Sequence, residues 1–167
     1  MTRKHLTRIT ALLLALLLCI CMSGCGQNGS TIEEPDEITV EYLTGEYADQ
    51  LTRDGATVTL GTVALTGTNG TYNITVESMV IVESDITDEG YYIADKNVSE
   101  TVPLDPTARI TYLGEDGAQI ISIEEFAEIV TGENYDPLEV GNEQLYDVYT
   151  IGGNAVLLLA KELPTVE

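Results

Sequence analysis

Beyond residue 37 the apolar and polar positions alternate mostly with a period of two, which predicts a succession of short β-strands. Ile38, Val40 and Tyr42 alternate against Thr39 and Glu41 as a first half-buried strand. A less regular connection, Gly45 to Gly55, holds one helical turn and leads to a second strand over Ala56–Leu65. Within that strand Val58 and Leu60 are out of phase with Val63 and Leu65, and a bulge at Gly61-Thr62 would bring both pairs to one face. Thr68-Asn69-Gly70-Thr71 supplies the Asn-Gly pair of a tight type I′ hairpin. The next strand puts Tyr72, Ile74, Val76, Val80 and Val82 on one face and Asn73, Thr75 and Glu77 on the other, while Met79 and Ile81 predict that its far end is covered on both sides.

Glu83 to Gly90 reads as an acidic turn, followed by two weaker strands, Tyr91–Ile93 and Val98–Leu104, with Pro103 and Pro106 marking an edge or a loop. Ala108–Leu113, the turn Gly114-Glu115-Asp116-Gly117 and Ala118–Ile121 form a second hairpin. Only one segment carries a convincing helical period. Ser122 and Glu125 have the spacing of a capping box, and Ile123, Phe126, Ala127 and Val130 recur at i, i+3, i+4 and i+7, with Gly132 as the stop. A loop to Asn142 precedes two last strands, Leu145–Ile151 and Ala155–Lys161, joined by Gly152-Gly153-Asn154. Seven or eight strands in short hairpins with one amphipathic helix predict a mainly β fold, a small antiparallel barrel or sandwich, with an open α+β sheet as the alternative.

Upstream of these elements the pattern is different. Arg3, Lys4 and Arg8 precede an apolar run of 14 residues, Ile9 to Met22, which is the plan of a secretory signal peptide. A membrane-spanning helix needs about 20 apolar residues to cross roughly 30 Å of hydrocarbon, so this run is expected to be removed and not to span. Met22-Ser23-Gly24-Cys25 resembles the lipobox of bacterial lipoproteins, with Met22 in place of the more usual leucine. The resemblance implies cleavage before Cys25 and a lipid on its thiol. The expected organisation is a signal peptide over 1–24, a lipidated cysteine and flexible acidic tether over 25–37, one β-rich domain over 38–163 and a tail over 164–167. Twelve tether residues could hold the domain about 40 Å from the lipid at full extension.

Charge then narrows the chemistry. All 28 acidic residues follow Cys25, against four cations, Arg53, Lys96, Arg109 and Lys161, so the chain from Cys25 carries a formal charge of −24. Nucleic acid is excluded as a partner, because a phosphate-binding surface needs clustered Lys and Arg. His5 is the one histidine and lies in the signal peptide, as do Cys19 and Cys21, which leaves neither imidazole nor free thiol for catalysis or disulfides.

Oxygen chemistry remains. Glu83, Asp85, Asp88 and Glu89 are the best candidates for a calcium site. An EF-hand register starting at Asp85 puts Gly90 correctly at position six but Lys96 at position twelve, where a bidentate glutamate belongs, so only an irregular site would serve. Paired carboxylates could hydrolyse a glycoside, yet so many acids make any pair uninformative, and the chain has no Trp and a single Phe for a sugar platform. Neither Lys96 nor Lys161 sits in a recognisable motif with a serine. Sequons at Asn28, Asn69, Asn73 and Asn97 are read as accidental in a bacterial lipoprotein. Tyrosine is the better binding residue, since it offers contact area at low entropic cost. Tyr91 and Tyr92 must point to opposite faces if extended, and Tyr146 points away from Leu145, so Tyr91, Tyr92 and Tyr146 are the candidate contacts for a peptide, glycan or envelope protein.

From the hairpin through Ser-Ile-Glu-Glu-Phe, Leu-Tyr-Asp-Val-Tyr-Thr and the Gly-Gly turn, roughly residues 80 to 160, the chain resembles a group of uncharacterised secreted lipoproteins of Gram-positive bacteria. That resemblance implies architecture and no site. The resulting expectation is a lipid-anchored binding or assembly module on the extracytoplasmic face of the cell membrane. Its rival is a carboxylate-based extracellular hydrolase, with or without calcium.

Overall fold

The computed structural model describes Pro35 and residues 37–68, 70–131 and 144–164. The expected signal peptide, Cys25, most of the expected tether, Asn69, the expected stop at Gly132 with its loop, and residues 165–167 lie outside the described residues. Six strands form one mixed sheet: β1 (Thr57–Thr68), β2 (Thr71–Glu83), β3 (Tyr91–Gly114), β4 (Gly117–Ile121), β5 (Tyr146–Ile151) and β6 (Asn154–Ala160). The fold is mainly β, with the expected amphipathic helix α3 (Ile123–Thr131) between β4 and β5.

Beyond its linear order, β2-β1-β5-β6-β3-β4, the sheet has an additional pairing of β2 with β3, which closes β1, β2, β3, β6 and β5 into a ring and leaves β4 as an appended edge. Every ring pairing is antiparallel except β3 with β6. The expected barrel is therefore mixed and not antiparallel. Parallel neighbours need a long crossover, and β4, α3 and the segment to β5 supply it. The ring runs in the cyclic order β1, β2, β3, β6, β5, and such a plan fixes no function by itself.

All five ring strands contribute to one core: Val63, Leu65, Ile74, Val76, Val102, Leu104, Ile110, Tyr146, Val148, Ala155 and Leu158. Helix α3 adds Phe126, Ala127 and Val130 to it. Its capping box is complete. The Glu125 N–H donates to Ser122 Oγ at 3.1 Å and the Ser122 N–H donates to Glu125 Oε2 at 3.0 Å. These bonds to the charged form, the backbone bond foremost, hold the Glu125 carboxyl below the usual glutamate range. On β6 an extra residue, Val156, lies between the pairs Thr150–Ala155 and Tyr149–Leu157, and this bulge turns both Ala155 and Leu158 inward.

The first expected strand is a helix. α1 (Val40–Tyr42), a π-helical turn (Leu43–Tyr47) and α2 (Ala48–Arg53) run together. Thr39 caps the start, its Oγ1 accepting from the Tyr42 N–H at 3.2 Å. The wide turn keeps residues five apart on one face, Tyr42 over Tyr47 and Leu43 over Ala48. With Leu51 they cover Leu157, Leu159 and Tyr149 on the outer side of β6 and β5. Ile38, Val40 and Tyr42 look like a strand only over a window too short to show that period.

Two further expectations change. β1 has no bulge at Gly61-Thr62, and its registers with β5 and β2 are both unbroken. Val58 and Leu60 therefore face away from Val63 and Leu65, Val58 outward in solvent. Gly61 has another reason. It pairs with Tyr146 on one side and Ser78 on the other, and a Cβ there would collide with the Glu77 carbonyl. The segments Tyr91–Ile93, Val98–Leu104 and Ala108–Leu113 are one strand, β3, which changes partner instead of ending at its prolines. It pairs with β2 up to Pro103 and with β6 from Leu104, and Pro106 sits in an irregularity between Leu104 and Arg109 where no ladder bond is needed. There Asp105 Oδ1 accepts from the Thr107 hydroxyl at 2.6 Å and its N–H at 2.8 Å, which lowers the Asp105 pKa, the hydroxyl bond contributing most.

Gly61→Ala should lower stability by about 1–3 kcal/mol, the usual cost of forcing atoms into a packed interior. Equilibrium urea unfolding of residues 26–167 checks this, and an unchanged midpoint would show that β1 and β2 can separate at no cost.

Candidate functional site: an apolar arm beside the barrel

β1 stops accompanying β2 at the pair Gly61–Ser78. Beyond Ser78, β2 and β3 have only each other among the described residues, through five consecutive pairs from Met79–Asp95 to Glu83–Tyr91. At the strand rise of about 3.3 Å per residue this two-stranded arm is roughly 17 Å long. Its base is an irregularity in β3. The register steps from Glu77–Ser99 to Met79–Asp95, so Lys96, Asn97 and Val98 stand opposite Ser78 alone. Asn97 takes φ +54°, a left-handed conformation that asparagine tolerates, and its N–H donates to Asp95 Oδ1 at 2.7 Å. Such a bulge bends the strand that carries it.

The arm has apolar residues on both faces. Residues paired directly across a ladder share a face, so Val80, Ala94, Val82 and Tyr92 line one side and Ile81, Ile93 and Tyr91 the other. None belongs to either hydrophobic core. Among the described residues the far end of β2 packs against neither core, and Met79, Ile81 and Val82 are half-buried there rather than covered on both sides. Tyr92 is 48% exposed and Val80 39%, while Ile86 at the tip is 95% exposed. The tip is ordered nonetheless. Ser84 N–H donates to the Gly90 carbonyl at 2.9 Å, Gly90 N–H to the Thr87 carbonyl at 3.1 Å, and Thr87 Oγ1 to the Tyr91 carbonyl at 2.9 Å. Ile86 is consequently displayed on a bonded turn.

Of the candidate contacts, Tyr91 and Tyr92 lie side by side on opposite faces of the arm, Tyr91 half-buried and Tyr92 exposed. Tyr146 is elsewhere and is withdrawn as a contact. It is 1% exposed in the barrel core, its ring edge-on to Phe126 at 5.7 Å and its hydroxyl donating to Gln144 Oε1 at 2.8 Å. The physical reason is phase: Tyr146 and Val148 face inward, so Tyr149 takes the outer face. Burial, followed by the charge of Asp147, raises the Tyr149 pKa. Ile86, Val80 and Val98 were not among the candidate contacts, although an isolated isoleucine within an acidic turn is a visible signal.

No three of Glu83, Asp85, Asp88 and Glu89 are placed together as metal ligands. Among the described residues no group of three or more acidic side chains is placed to hold a metal ion. Asp105, Glu125 and Tyr149, whose pKa values are displaced, stand on separate elements, and none forms a pair of carboxyls with its values pushed apart. Among the described residues no helix is long and apolar enough to cross a membrane. No family model, curated protein or solved structure matches the chain.

Tyr146→Phe should cost about 1 kcal/mol, the worth of one hydrogen bond, whereas Ile86→Ser should change stability by less than about 0.5 kcal/mol. Thermal unfolding of both variants tests the division. A large loss from Ile86→Ser would mean that the tip is packed and is no docking surface.

Proposed function

We propose that the chain is a lipid-anchored binding or assembly module of the cell envelope, held on the extracytoplasmic face through Cys25 and engaging its partner with the β2–β3 arm. The observation that carries this reading is the arm itself. A hairpin of two strands is marginally stable in water, and one with apolar residues on both faces gains stability once those faces are covered. Tyr92 adds a large, low-entropy contact surface, the type of residue enriched at interface centres. The basic n-region, the apolar run Ile9–Met22 and the lipobox-like Met22-Ser23-Gly24-Cys25 support the anchor. A surface of net charge −24 suits a domain that stays soluble beside a membrane.

Crosslinking of intact cells, with Cys25→Ala as the unanchored control, tests the reading by mass spectrometry. A stoichiometric neighbour with the wild-type chain, lost in the control, is the expected result. If nothing crosslinks above background, the assembly role is wrong.

A further inference from the structure

We infer that the β2–β3 arm inserts into an apolar groove of another protein whose rim carries lysine and arginine; this rests on the binding reading above and names the kind of partner. Shape supplies the first half of the argument. Val80 and Tyr92 on one side and Ile86 at the tip are exposed, and Ile81, Ile93 and Tyr91 on the other side are half-buried; a flat surface would meet one side alone, whereas a groove covers the exposed side, closes over what the other leaves open and receives Ile86 at its end.

Charge supplies the second half. From Glu77 to Glu100 the chain has seven acids and one base, Lys96, and between Met79 and Ala94 it has Glu83, Asp85, Asp88 and Glu89 with no base. An occupant must therefore answer an apolar ribbon with a carboxylate-rich end, and a cationic rim does so. A second copy of this chain is disfavoured, because arm would meet arm with like charges at the same end and each chain is strongly negative overall. A lipid surface is disfavoured as well. Ile86 could enter hydrocarbon only by bringing Asp85, Asp88 and Glu89 with it, and anionic headgroups repel all three.

A photo-crosslinking amino acid placed at position 86 or 92 of the full chain in intact cells tests this, with position 115, in the β3–β4 turn, as the control. Positions 86 and 92 should label the same neighbouring protein, through peptides in which Lys or Arg flanks apolar residues, and position 115 should not. The combined variant Glu83→Gln, Asp85→Asn, Asp88→Asn and Glu89→Gln should cut the yield about tenfold or more, as loss of electrostatic steering does. Circular dichroism confirms that this variant is folded. Equal yield from the neutralised variant, or adducts to lipid or to a second copy, would overturn the inference. If the neighbour found with the wild-type chain is never labelled from positions 86 and 92, the arm is wrong and the module reading stands; if there is no neighbour, both fall.

Discussion

Closure of the ring between β2 and β3 is the constraint on which the other features depend. β2 is shared by β1 and β3, and while it has both neighbours its inward row of Ile74 and Val76 fills the barrel. Gly61 allows β1 to approach the Glu77 carbonyl closely at the point where β1 passes from β2 to β5. Once β1 has turned away, the same row of β2 continues as Val80 and Val82 with no barrel left to fill. The arm follows from this geometry: strands longer than the ring that they close.

β3 shows how far the closure is non-local. Its first half belongs to β2, ending at the pair Asn73–Pro103, and its second half to β6, with Pro106 in the irregular stretch between Leu104 and Arg109. Read locally, two prolines within four residues divide it into separate strands. Local chemistry was legible where it decides the outcome alone: the two-residue connection between Thr68 and Thr71, the capping box of Ser122 and Glu125, and the inward stripe of Phe126, Ala127 and Val130. It failed at Ile38–Tyr42, a short helical start that runs into the π turn Leu43–Tyr47, where apolar residues five apart match neither the strand nor the α-helix period. The bulge inferred at Gly61 failed because both faces of that part of the sheet carry apolar residues, so out-of-phase pairs required no correction.

The candidate site was legible in the same partial way. Tyr91 and Tyr92 fall on opposite faces because strand geometry allows nothing else, and this needed no tertiary information. That Tyr146 is core and the end of β2 lies outside both cores depended on which strands stop first, a property of the closed ring. Carboxylates spread around an exposed turn repel one another and need not converge, so their number in the sequence does not give their placement. The same spread of charge around an apolar ribbon defines what could cover it.

An arm that binds as proposed is energetically separate from the barrel. Amide hydrogen exchange on residues 26–167 tests it most directly, because exchange resolves local opening from global unfolding. Ladder-bonded amides of residues 73–77 and 99–102 should exchange only by global unfolding, and those of 79–83 and 91–95 much faster, by local opening of the hairpin. Equal protection in both sets would contradict the account, since it would mean that another part of the chain already covers the arm.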